Sequence, residues 1–376
     1  MQVAKQDQNM TTNFLILPRR SAVKKHEVRI ILVIALCWVV IDLCLFLFQM
    51  TAGSFAFKYA DRDFNTSRAL FLRELNVLFL SLIIGFLLVS VLRNFLRNSS
   101  LWVNLLVKTL LLVVAAVVMS FFIYVSYESL IHQRPVLETM NKFLKNTLQP
   151  DWFLPKMLEW LLLFLITQVA LEINEKYSSG VFFDIMVGRY LLPKQKERIL
   201  IFLDLKDSTA IAEKLGSNEY FMFIRDFIFC ISAGIMEHNG RIYQYVGDEI
   251  VAWWPSSKIN AKKVIGALLD SRKVLNKNSE HFQTAYGIMP EYKVGIHTGT
   301  VTVGQVGIAK KELVMSGDTI NTAARIRTAC TELNEKFLLS KEMNELVGLK
   351  TWQSESMGTV ELKGKQDLPE LFALRI

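Results

Sequence analysis

Two aspartates are the residues best suited to chemistry, because each places a carboxylate at the edge of an apolar run. Asp204 ends the segment Ile-Phe-Leu-Asp, and Asp248 follows the segment Tyr-Val-Gly further along the chain. Two carboxylates are enough to hold Mg²⁺ when phosphate oxygens complete its coordination. A pair of such ions can activate a hydroxyl and stabilise the oxygens of an in-line displacement at phosphorus. We therefore predict a site for two Mg²⁺ or Mn²⁺ ions that contains Asp204, its neighbour Leu205 and Asp248.

An amide and a guanidinium follow at helical spacing. Asn321 and Arg325 lie in Gly-Asp-Thr-Ile-Asn-Thr-Ala-Ala-Arg, so they share one face of a predicted helix. Arginine can neutralise charge on a transferring phosphoryl group, and asparagine can orient a ribose oxygen. Taken alone, Arg325 would be a solvated helix residue, and the aspartates would be a helix cap and a turn residue. Their combination in this order favours phosphoryl transfer on a nucleotide.

Three further residues are candidates for holding phosphates. Ser208 and Thr209 begin a predicted helix, whose free backbone N–H groups and dipole favour anions. A plain N-cap by Asp207 or Ser208 is compatible with that role. Lys365 lies in Lys-Gly-Lys near the C-terminus, at the tip of a predicted hairpin. There it either grips the β- and γ-phosphates or is simply solvated.

The elements that must position these residues form a soluble part over residues 197–376. The sequence predicts a strand over 199–205, a helix over 217–239, strands over 241–245 and 249–253, and a helix over 261–275. It then predicts a strand pair over 292–297 and 300–306 around Gly299, a helix over 319–328 and a terminal hairpin over 358–374. This order predicts an α+β fold with helices packed on a mostly antiparallel, ferredoxin-like sheet. In such a sheet Asp204 and Asp248 lie side by side.

Composition indicates a membrane segment before this soluble part. The chain has 376 residues, of which 52% are hydrophobic, with a mean hydropathy of +0.29 and a net charge of +8. Four stretches are long and apolar enough for transmembrane helices, roughly 30–50, 75–92, 104–126 and 152–172. Basic residues flank these stretches, so the positive charge does not indicate a nucleic-acid partner. The four cysteines lack metal-type spacing and are expected to be reduced.

These features divide the chain into four predicted regions. They are a cytoplasmic N-terminal segment over 1–28, a transmembrane domain of four helices over 29–172, a connector over 173–196 and a catalytic domain over 197–376. An even number of spans puts both termini on one side, and the basic residues around the spans place that side in the cytoplasm. The first span is too long for a cleavable signal peptide. We expect a multi-pass protein of the inner (plasma) membrane, in contact with the lipid bilayer.

Two charged residues fall within the predicted spans, where an ionisable group is by default a functional candidate. Asp42 lies near the middle of the first span, so it either pairs with a neighbouring helix or takes part in sensing. Lys108 lies near the cytoplasmic end of the third span. Its long side chain is expected to extend towards the membrane interface.

Residues 197–376 resemble the catalytic domain of the class III nucleotidyl cyclases, the adenylate and guanylate cyclase family. The motifs that carry the resemblance are Phe-Leu-Asp204-Leu-Lys-Asp-Ser-Thr209, Tyr-Val-Gly-Asp248, Gly295-Ile-His-Thr-Gly299, Gly-Asp-Thr-Ile-Asn321-Thr-Ala-Ala-Arg325 and Leu-Lys-Gly-Lys365. The resemblance implies a head-to-tail homodimer with two equivalent sites at its interface. Asp204 and Asp248 of one chain would bind the metals, and Asn321, Arg325 and Lys365 would come from the partner chain. The 3′-hydroxyl of the nucleoside triphosphate would then attack its α-phosphorus, and pyrophosphate would leave.

The positions that would recognise the base do not select one nucleotide. Family members that make cyclic AMP often carry Lys before the second metal aspartate and Asp or Thr before the asparagine, at positions that here are Gln244 and Val314. The Glu and Cys pattern of guanylate cyclases is absent as well. An amide both donates and accepts hydrogen bonds, so it can serve more than one base edge. We favour ATP as the substrate, with GTP or a pyrimidine triphosphate as alternatives.

Three other functions fit parts of the chain. The turn Gly-Asp248-Glu is similar to that of diguanylate cyclases, but its neighbours Val246 and Ile250 differ from theirs. An inactive cyclase fold acting as a membrane sensor or scaffold would be expected to lack a metal aspartate or Arg325. A transporter would show inverted repeats or broken spans. We therefore expect an active cyclase, and leave open which ligand or protein the membrane domain would sense.

Overall fold

The structure is a computed structural model in which the chain forms two compact units. It describes residues 21–51, 66–92, 95, 99–130, 133–143, 150–176, 188, 190, 192–308, 312–350, 353–362 and 368–375. One unit contains the helices up to Lys176, and the other contains the C-terminal residues from 177 onwards. Each unit has its own apolar core.

The N-terminal unit is mainly helical in its described residues. Its helices are α1 (Ser21–Thr51), α2 (Thr66–Phe86, continued by a π-helical turn over Leu87–Leu92), α3 (Leu101–Leu130), α4 (Val136–Lys142) and α5 (Pro150–Lys176). Three stretches are long and apolar enough to cross a membrane, namely Glu27–Phe48, Leu70–Leu92 and Trp102–Ser126. These agree with the first three predicted spans. The fourth predicted span falls in α5, whose first side chains lie outside the described residues, so it stays a prediction.

The two charges within the predicted spans are both paired. Asp42 is buried, and Arg73 of α2 donates to its carboxylate over 2.5 and 2.8 Å. The expected pairing of Asp42 with a neighbouring helix is therefore found, and a role in sensing stays a prediction. Lys108 is buried as well, and its amine lies 3.2 Å from a carboxylate oxygen of Glu172 on α5. Its extension towards the membrane interface stays a prediction.

The C-terminal unit is built on a mixed sheet. Its elements are β1 (Lys194–Leu205), α6 (Ser208–Glu237), β2 (Arg241–Val246), β3 (Glu249–Pro255), α7 (Lys258–Lys277), α8 (Ser279–Tyr286), β4 (Tyr292–Val306), β5 (Glu312–Ser316), α9 (Asp318–Glu332), β6 (Phe337–Ser340), α10 (Lys341–Val347), β7 (Ser354–Thr359) and β8 (Glu370–Leu374). The strand order is β2-β3-β1-β4-β6-β8-β7, and β5 pairs with β4. The segment from β1 to β4 has the antiparallel order 4-1-3-2 of a ferredoxin-like sheet, as predicted.

Strand β1 carries two different faces because successive side chains alternate. Ile199, Ile201 and Leu203 are fully buried against α6 and α7 in the main core. On the opposite face, Leu200 and Phe202 belong to a second, smaller apolar cluster with residues of β3 to β5 and α9. Both faces of the strand are therefore covered in its middle. Polar side chains occur at its two ends.

The predicted strand pair around Gly299 is wrong, because β4 runs unbroken from Tyr292 to Val306. Gly299 lies in continuous register with β1, opposite Arg198. Its lack of a side chain serves packing instead of a turn, since a Cβ at this position would lie 2.8 Å from Oγ1 of Thr319 on α9. A Cβ at Gly295 would lie only 2.2 Å from the backbone nitrogen of Arg327. The two glycines thus allow α9 to lie directly on β4.

The remaining predictions for this unit differ from the structure mainly at their boundaries. The helix predicted to start at residue 217 is the second part of α6, which is kinked at Gly216. The terminal hairpin consists of β7 and β8, which pair antiparallel, but its first strand starts at Ser354, before residue 358. Lys365 lies outside the described residues, so its predicted position at a hairpin tip stays a prediction.

Candidate active site

The two predicted metal ligands lie next to each other. Asp204 is close to the end of β1, between β3 and β4, and Asp248 follows Gly247 in the turn between β2 and β3. Gly247 has a φ of +63°, which suits a residue without a Cβ at this tight turn. The charge of Asp248 acts on the pKa of Asp204, so the two carboxyls are close neighbours. The prediction that the sheet brings them together is confirmed.

Two residues that sequence reasoning missed complete this cluster. Arg327 of α9 donates from Nη1 to the Asp204 carboxylate over 3.0 Å and from Nη2 to the Glu249 carboxylate over 3.1 Å. Glu249 directly follows Asp248 and begins β3. The side chains of Asp204 and Arg327 are about a quarter exposed, at 24% and 27%. One guanidinium therefore neutralises part of a three-carboxylate cluster that solvent still reaches.

The electrostatics of the cluster favour the binding of a cation. Burial raises the pKa of Asp204, the nearby Arg327 opposes this rise, and the charge of Asp248 adds to it. The pKa of Glu249 is raised in the same way, by burial first and by its acidic neighbours, against Arg327. Three carboxylates facing one guanidinium leave an excess of negative charge. A further cation would relieve that excess and lower both pKa values.

The residues fit a divalent metal that also binds substrate phosphates. Oδ2 of Asp248 is buried and has no hydrogen-bond partner among the described residues, so a ligand lone pair is available. The side chain of Leu205 is buried in the main core, which leaves its backbone carbonyl as the group that could reach a metal. No group of three or more His, Cys, Asp or Glu within the described residues has the arrangement of a complete metal site. Mg²⁺ in proteins is usually coordinated by one or two carboxylates together with phosphate oxygens of the substrate, and the two aspartates fit this pattern.

The predicted phosphate-binding turn lies beside this cluster in sequence. Ser208 and Thr209 are the first residues of α6, as predicted. Asp207 is at the N-cap in a left-handed conformation and makes no side-chain cap hydrogen bond. The Ser208 hydroxyl interacts with the Tyr220 hydroxyl, whose pKa is raised by burial and then by the charge of Asp248. The first turn of α6 therefore lies close to Asp248 and keeps free backbone N–H groups.

Helix α9 presents its two candidate catalytic residues away from the carboxylates of its own chain. Asn321 is exposed and Arg325 is half-buried, whereas Ala323 and Ile326 are fully buried. Arg327 follows Arg325 by two positions, which turns its side chain by about 200° on an α-helix. Arg327 reaches Asp204, and no ion pair joins Arg325 to a carboxylate among the described residues. One chain thus holds the metal ligands together, with Asn321 and Arg325 on another face.

The two predicted base-recognition residues lie on strands that a hydrogen bond connects. Gln244 is an exposed residue of β2, and Val314 lies on β5. The backbone nitrogen of Met315 donates to the Tyr243 hydroxyl over 3.0 Å, which holds the neighbours of both residues together. The amide of Gln244 is exposed to solvent next to this contact. Backbone groups near Val314 are within the same part of the fold.

Comparisons with known proteins agree with this geometry. A profile of the adenylate and guanylate cyclase catalytic domain matches residues 192–374. Adenylate cyclase 2 of Rhizobium meliloti (strain 1021) is 29% identical over 133 residues, which is 35% of this chain and 37% of that protein. The guanylate cyclase soluble subunit beta-2 of Rattus norvegicus is 28% identical over 140 residues, which is 37% of this chain and 19% of that protein.

A solved structure supports the same fold. A bacterial light-regulated adenylyl cyclase shares 21% identity with a TM-score of 0.50, covering 57% of this chain and 64% of that chain. Together these similarities and the paired carboxylates define the C-terminal unit as a nucleotide cyclase catalytic domain. Residues 192–374 thus carry the catalytic domain of the class III adenylate and guanylate cyclase family. The match spans well under half the length of the curated relatives, at 37% of one and 19% of the other.

Proposed function

We propose that this chain is a membrane-bound adenylate cyclase that converts ATP to 3′,5′-cyclic AMP and pyrophosphate in a homodimer. The observation that carries the proposal is the cluster of Asp204, Asp248 and Glu249 next to the first turn of α6. The negative charge of these carboxylates is only partly neutralised, which suits metal binding. The free backbone N–H groups beside them suit the oxygens of a triphosphate. The cyclase family to which the domain belongs carries out this kind of chemistry on nucleotides.

In this proposal, acidic groups bind the metal ions, and N–H groups and a lysine bind the phosphates. Asp204, Asp248 and the backbone carbonyl of Leu205 would hold two Mg²⁺ or Mn²⁺ ions, which supply activation of the 3′-hydroxyl and charge stabilisation when bound. The backbone N–H groups of Ser208 and Thr209 would bind oxygens of the β- and γ-phosphates. Lys365 would contact the same phosphates. These residues fix the position of the leaving pyrophosphate before the bond breaks.

Asn321 and Arg325 would complete the site from the partner subunit. Arg325 has no carboxylate partner among the described residues, so its guanidinium is free to bind the α-phosphate. Asn321 beside it would orient the ribose. A site divided between two chains explains why these residues lie on a different face from Asp204 in each protomer. It also makes two equivalent sites in a homodimer.

Mixing two inactive variants tests the divided site. Asp204→Ala and Arg325→Ala should each be inactive alone, because each removes a group that both sites of its homodimer need. A mixed dimer has one site with both lesions and one site with neither, so about a quarter of the wild-type activity should return at equal mixing, the share expected for two symmetric sites. Activity is measured as cyclic AMP formed by detergent-solubilised protein after subunit exchange. No recovery, with exchange confirmed by fluorescence energy transfer, would show that each site lies within one chain.

The base preference depends on Gln244 in this proposal, with GTP and pyrimidine triphosphates as competing substrates. Its amide would bond the adenine edge, and backbone groups near Val314 would complete recognition. Gln244→Ala should reduce the ratio of kcat/KM for ATP over GTP by about fivefold to tenfold, the effect of one lost hydrogen bond. Products from each nucleotide are identified by mass spectrometry. An unchanged ratio would remove Gln244 from the base pocket, and a wild-type preference for GTP would replace ATP as the substrate.

The membrane unit would anchor the catalytic domain to the inner membrane with both termini in the cytoplasm. Its three apolar helices and the helix α5 surround a core closed by the Asp42–Arg73 and Lys108–Glu172 pairs. Large apolar side chains cover the outside of this bundle, as expected for contact with lipid. A ligand or protein that binds the bundle would act on the cyclase through the connector.

A further inference from the structure

A cavity at the start of β1 concentrates positive charge. It has a volume of about 270 Å³. Its walls include Tyr190, Lys194, Lys196, Arg198, Arg241 and Trp253. Four of these side chains are cations, and no acidic residue lines the cavity among the described residues. We call this set the basic cavity.

The two arginines of the basic cavity are held in place by an aromatic ring. The guanidinium carbon of Arg198 lies 3.9 Å from the centroid of Trp253, and that of Arg241 lies 5.1 Å from it. Trp253 is buried, and its neighbour across the sheet, Leu200, is fully buried as well. Cation–π stacking of this kind fixes a guanidinium while leaving its edge N–H groups available. The guanidinium groups of both arginines are therefore held by the same indole ring.

The charge in the basic cavity is not neutralised by the part of the chain that the structure describes. Nε of Arg198 is buried and has no hydrogen-bond partner among these residues. Burial lowers the pKa of Arg198, the nearby Tyr190 opposes this change, and the neighbouring charge of Arg241 lowers the pKa further. Like charges this close repel, so the arrangement is costly without an anion. The exposed amines of Lys194 and Lys196 would add to the attraction of such an anion at the mouth.

The basic cavity is separate from the carboxylate cluster of the candidate active site. Lys194, Lys196, Arg198 and Asp204 lie at positions that alternate to the same face of β1. Asp204 lies six positions after Arg198, which is about 20 Å along an extended strand. The cavity is instead next to Tyr190, where the connector enters the catalytic domain. A phosphate in the cavity would therefore not be one that binds beside Asp204 of the same chain.

We propose that the basic cavity is a second binding site, for a small anion that carries a phosphate dianion. Paired arginine forks match the oxygens of a phosphate, which can accept two parallel N–H bonds from each. A phosphate dianion also brings two charges to a site that has four cations and no acid among its described walls. The phosphate comes either from a soluble metabolite or from a lipid headgroup, and these two sources share the same chemistry.

Phosphate binding by the full-length protein tests the site. The protein is placed in phosphatidylcholine nanodiscs with EDTA and no nucleotide, and inorganic phosphate is titrated by calorimetry at constant ionic strength. We expect saturable binding of one phosphate per chain and a rise in Tm. Arg198→Gln and Arg241→Gln should each weaken this binding at least about tenfold, because each removes a charge-assisted bidentate contact. Arg198→Lys should weaken it less, since it keeps the charge but not the fork.

Two matched controls separate this site from other cations. Arg325→Gln removes a cation of the proposed active site, and Lys262→Gln removes an exposed charge on α7. Neither should change phosphate affinity in EDTA. If Arg198→Gln lowers the Tm of the ligand-free protein, Lys196→Gln replaces it, because Lys196 is exposed and its loss should weaken phosphate binding without unfolding.

The source of the phosphate is resolved by changing the lipid. In nanodiscs that contain phosphatidic acid, a headgroup ligand would compete with added phosphate and weaken its apparent affinity, and Arg198→Gln would abolish this competition. Equal phosphate affinity in both lipids indicates a soluble ligand. Absence of saturable phosphate binding by the wild type, or loss of binding in Arg325→Gln equal to that in Arg198→Gln, would overturn the proposal.

Discussion

The two ends of β1 carry opposite charge on the same face of one sheet. At the C-terminal end, Asp204 lies with Asp248 and Glu249, and Arg327 from α9 balances part of their charge. At the N-terminal end, Arg198 lies with Arg241 over Trp253, and no carboxylate of the described residues lines the cavity. The acidic end thus has a counterion supplied by the protein, which the basic end lacks over the same described ranges. The chain itself therefore neutralises part of the acidic cluster, whereas the basic cluster has no carboxylate partner along its described walls.

The largest expected effect concerns the acidic end. Asp248→Asn keeps the size of the side chain but removes the buried charge that would hold a metal. We expect kcat to fall at least about 100-fold, a loss near ~2.7 kcal/mol of transition-state stabilisation. The matched control is Asp207→Asn, which changes an exposed carboxylate in the adjoining loop and tolerates the left-handed backbone. Cyclic nucleotide formation is measured for both, with circular dichroism to confirm folding.

The contrast between the ends would be lost if Asp248→Asn retained more than about a tenth of the wild-type rate, a cost below ~1.4 kcal/mol. In that case the carboxylate cluster would be a structural ion-pair network with Arg327. Equal losses for Asp207→Asn and Asp248→Asn would lead to the same conclusion. Either result would remove the metal ligands from the proposed function.

A smaller effect sharpens the role of Arg327. Its guanidinium neutralises part of the negative charge that a divalent ion would otherwise balance. Arg327→Met should therefore increase Mn²⁺ affinity by about threefold to tenfold in the absence of nucleotide. Mn²⁺ binding is measured by electron paramagnetic resonance, which does not depend on activity. Arg325→Met, on another face of α9, is the control and should leave the affinity unchanged. Weaker Mn²⁺ binding in Arg327→Met would mean that the arginine positions the carboxylates for the metal instead of competing with it.

The smallest effect is a pH dependence of stability in EDTA. The pKa of Asp204 is raised in the folded state, chiefly by burial. Its contribution to stability is therefore fully present below the ordinary pKa of an aspartate and is lost as the pH rises through the raised value. Asp204→Asn cannot ionise, so its Tm relative to the wild type should increase by a few degrees as the pH rises from about 3.5 to 7. A difference in Tm that stays constant or falls over this range would contradict the raised pKa.

The amino-acid sequence determined the local features that depend on neighbours along the chain. Alternating and continuous apolar runs predicted the strands and helices around Asp204 and Asp248, and Gly247 predicted the turn. The order strand, helix, hairpin, helix, strand was sufficient to predict a ferredoxin-like sheet, which in turn placed the two aspartates together. Apolar length also predicted the spans that the structure describes as α1 to α3. These patterns depend only on residues that are near one another in the chain, so they can be interpreted without knowledge of the fold.

The tertiary structure alone decided which distant side chains meet. Arg325 and Arg327 are nearly indistinguishable in sequence, yet the packing of α9 on Gly295 directs Arg327 towards Asp204. Gly299 carries the signal of a turn, but the sheet uses it to admit Thr319. The basic cavity joins residues from three strands and the connector, which no spacing in the chain reveals. Helix rotation and strand register set these contacts, and both follow from packing across the whole domain, beyond the reach of local sequence patterns.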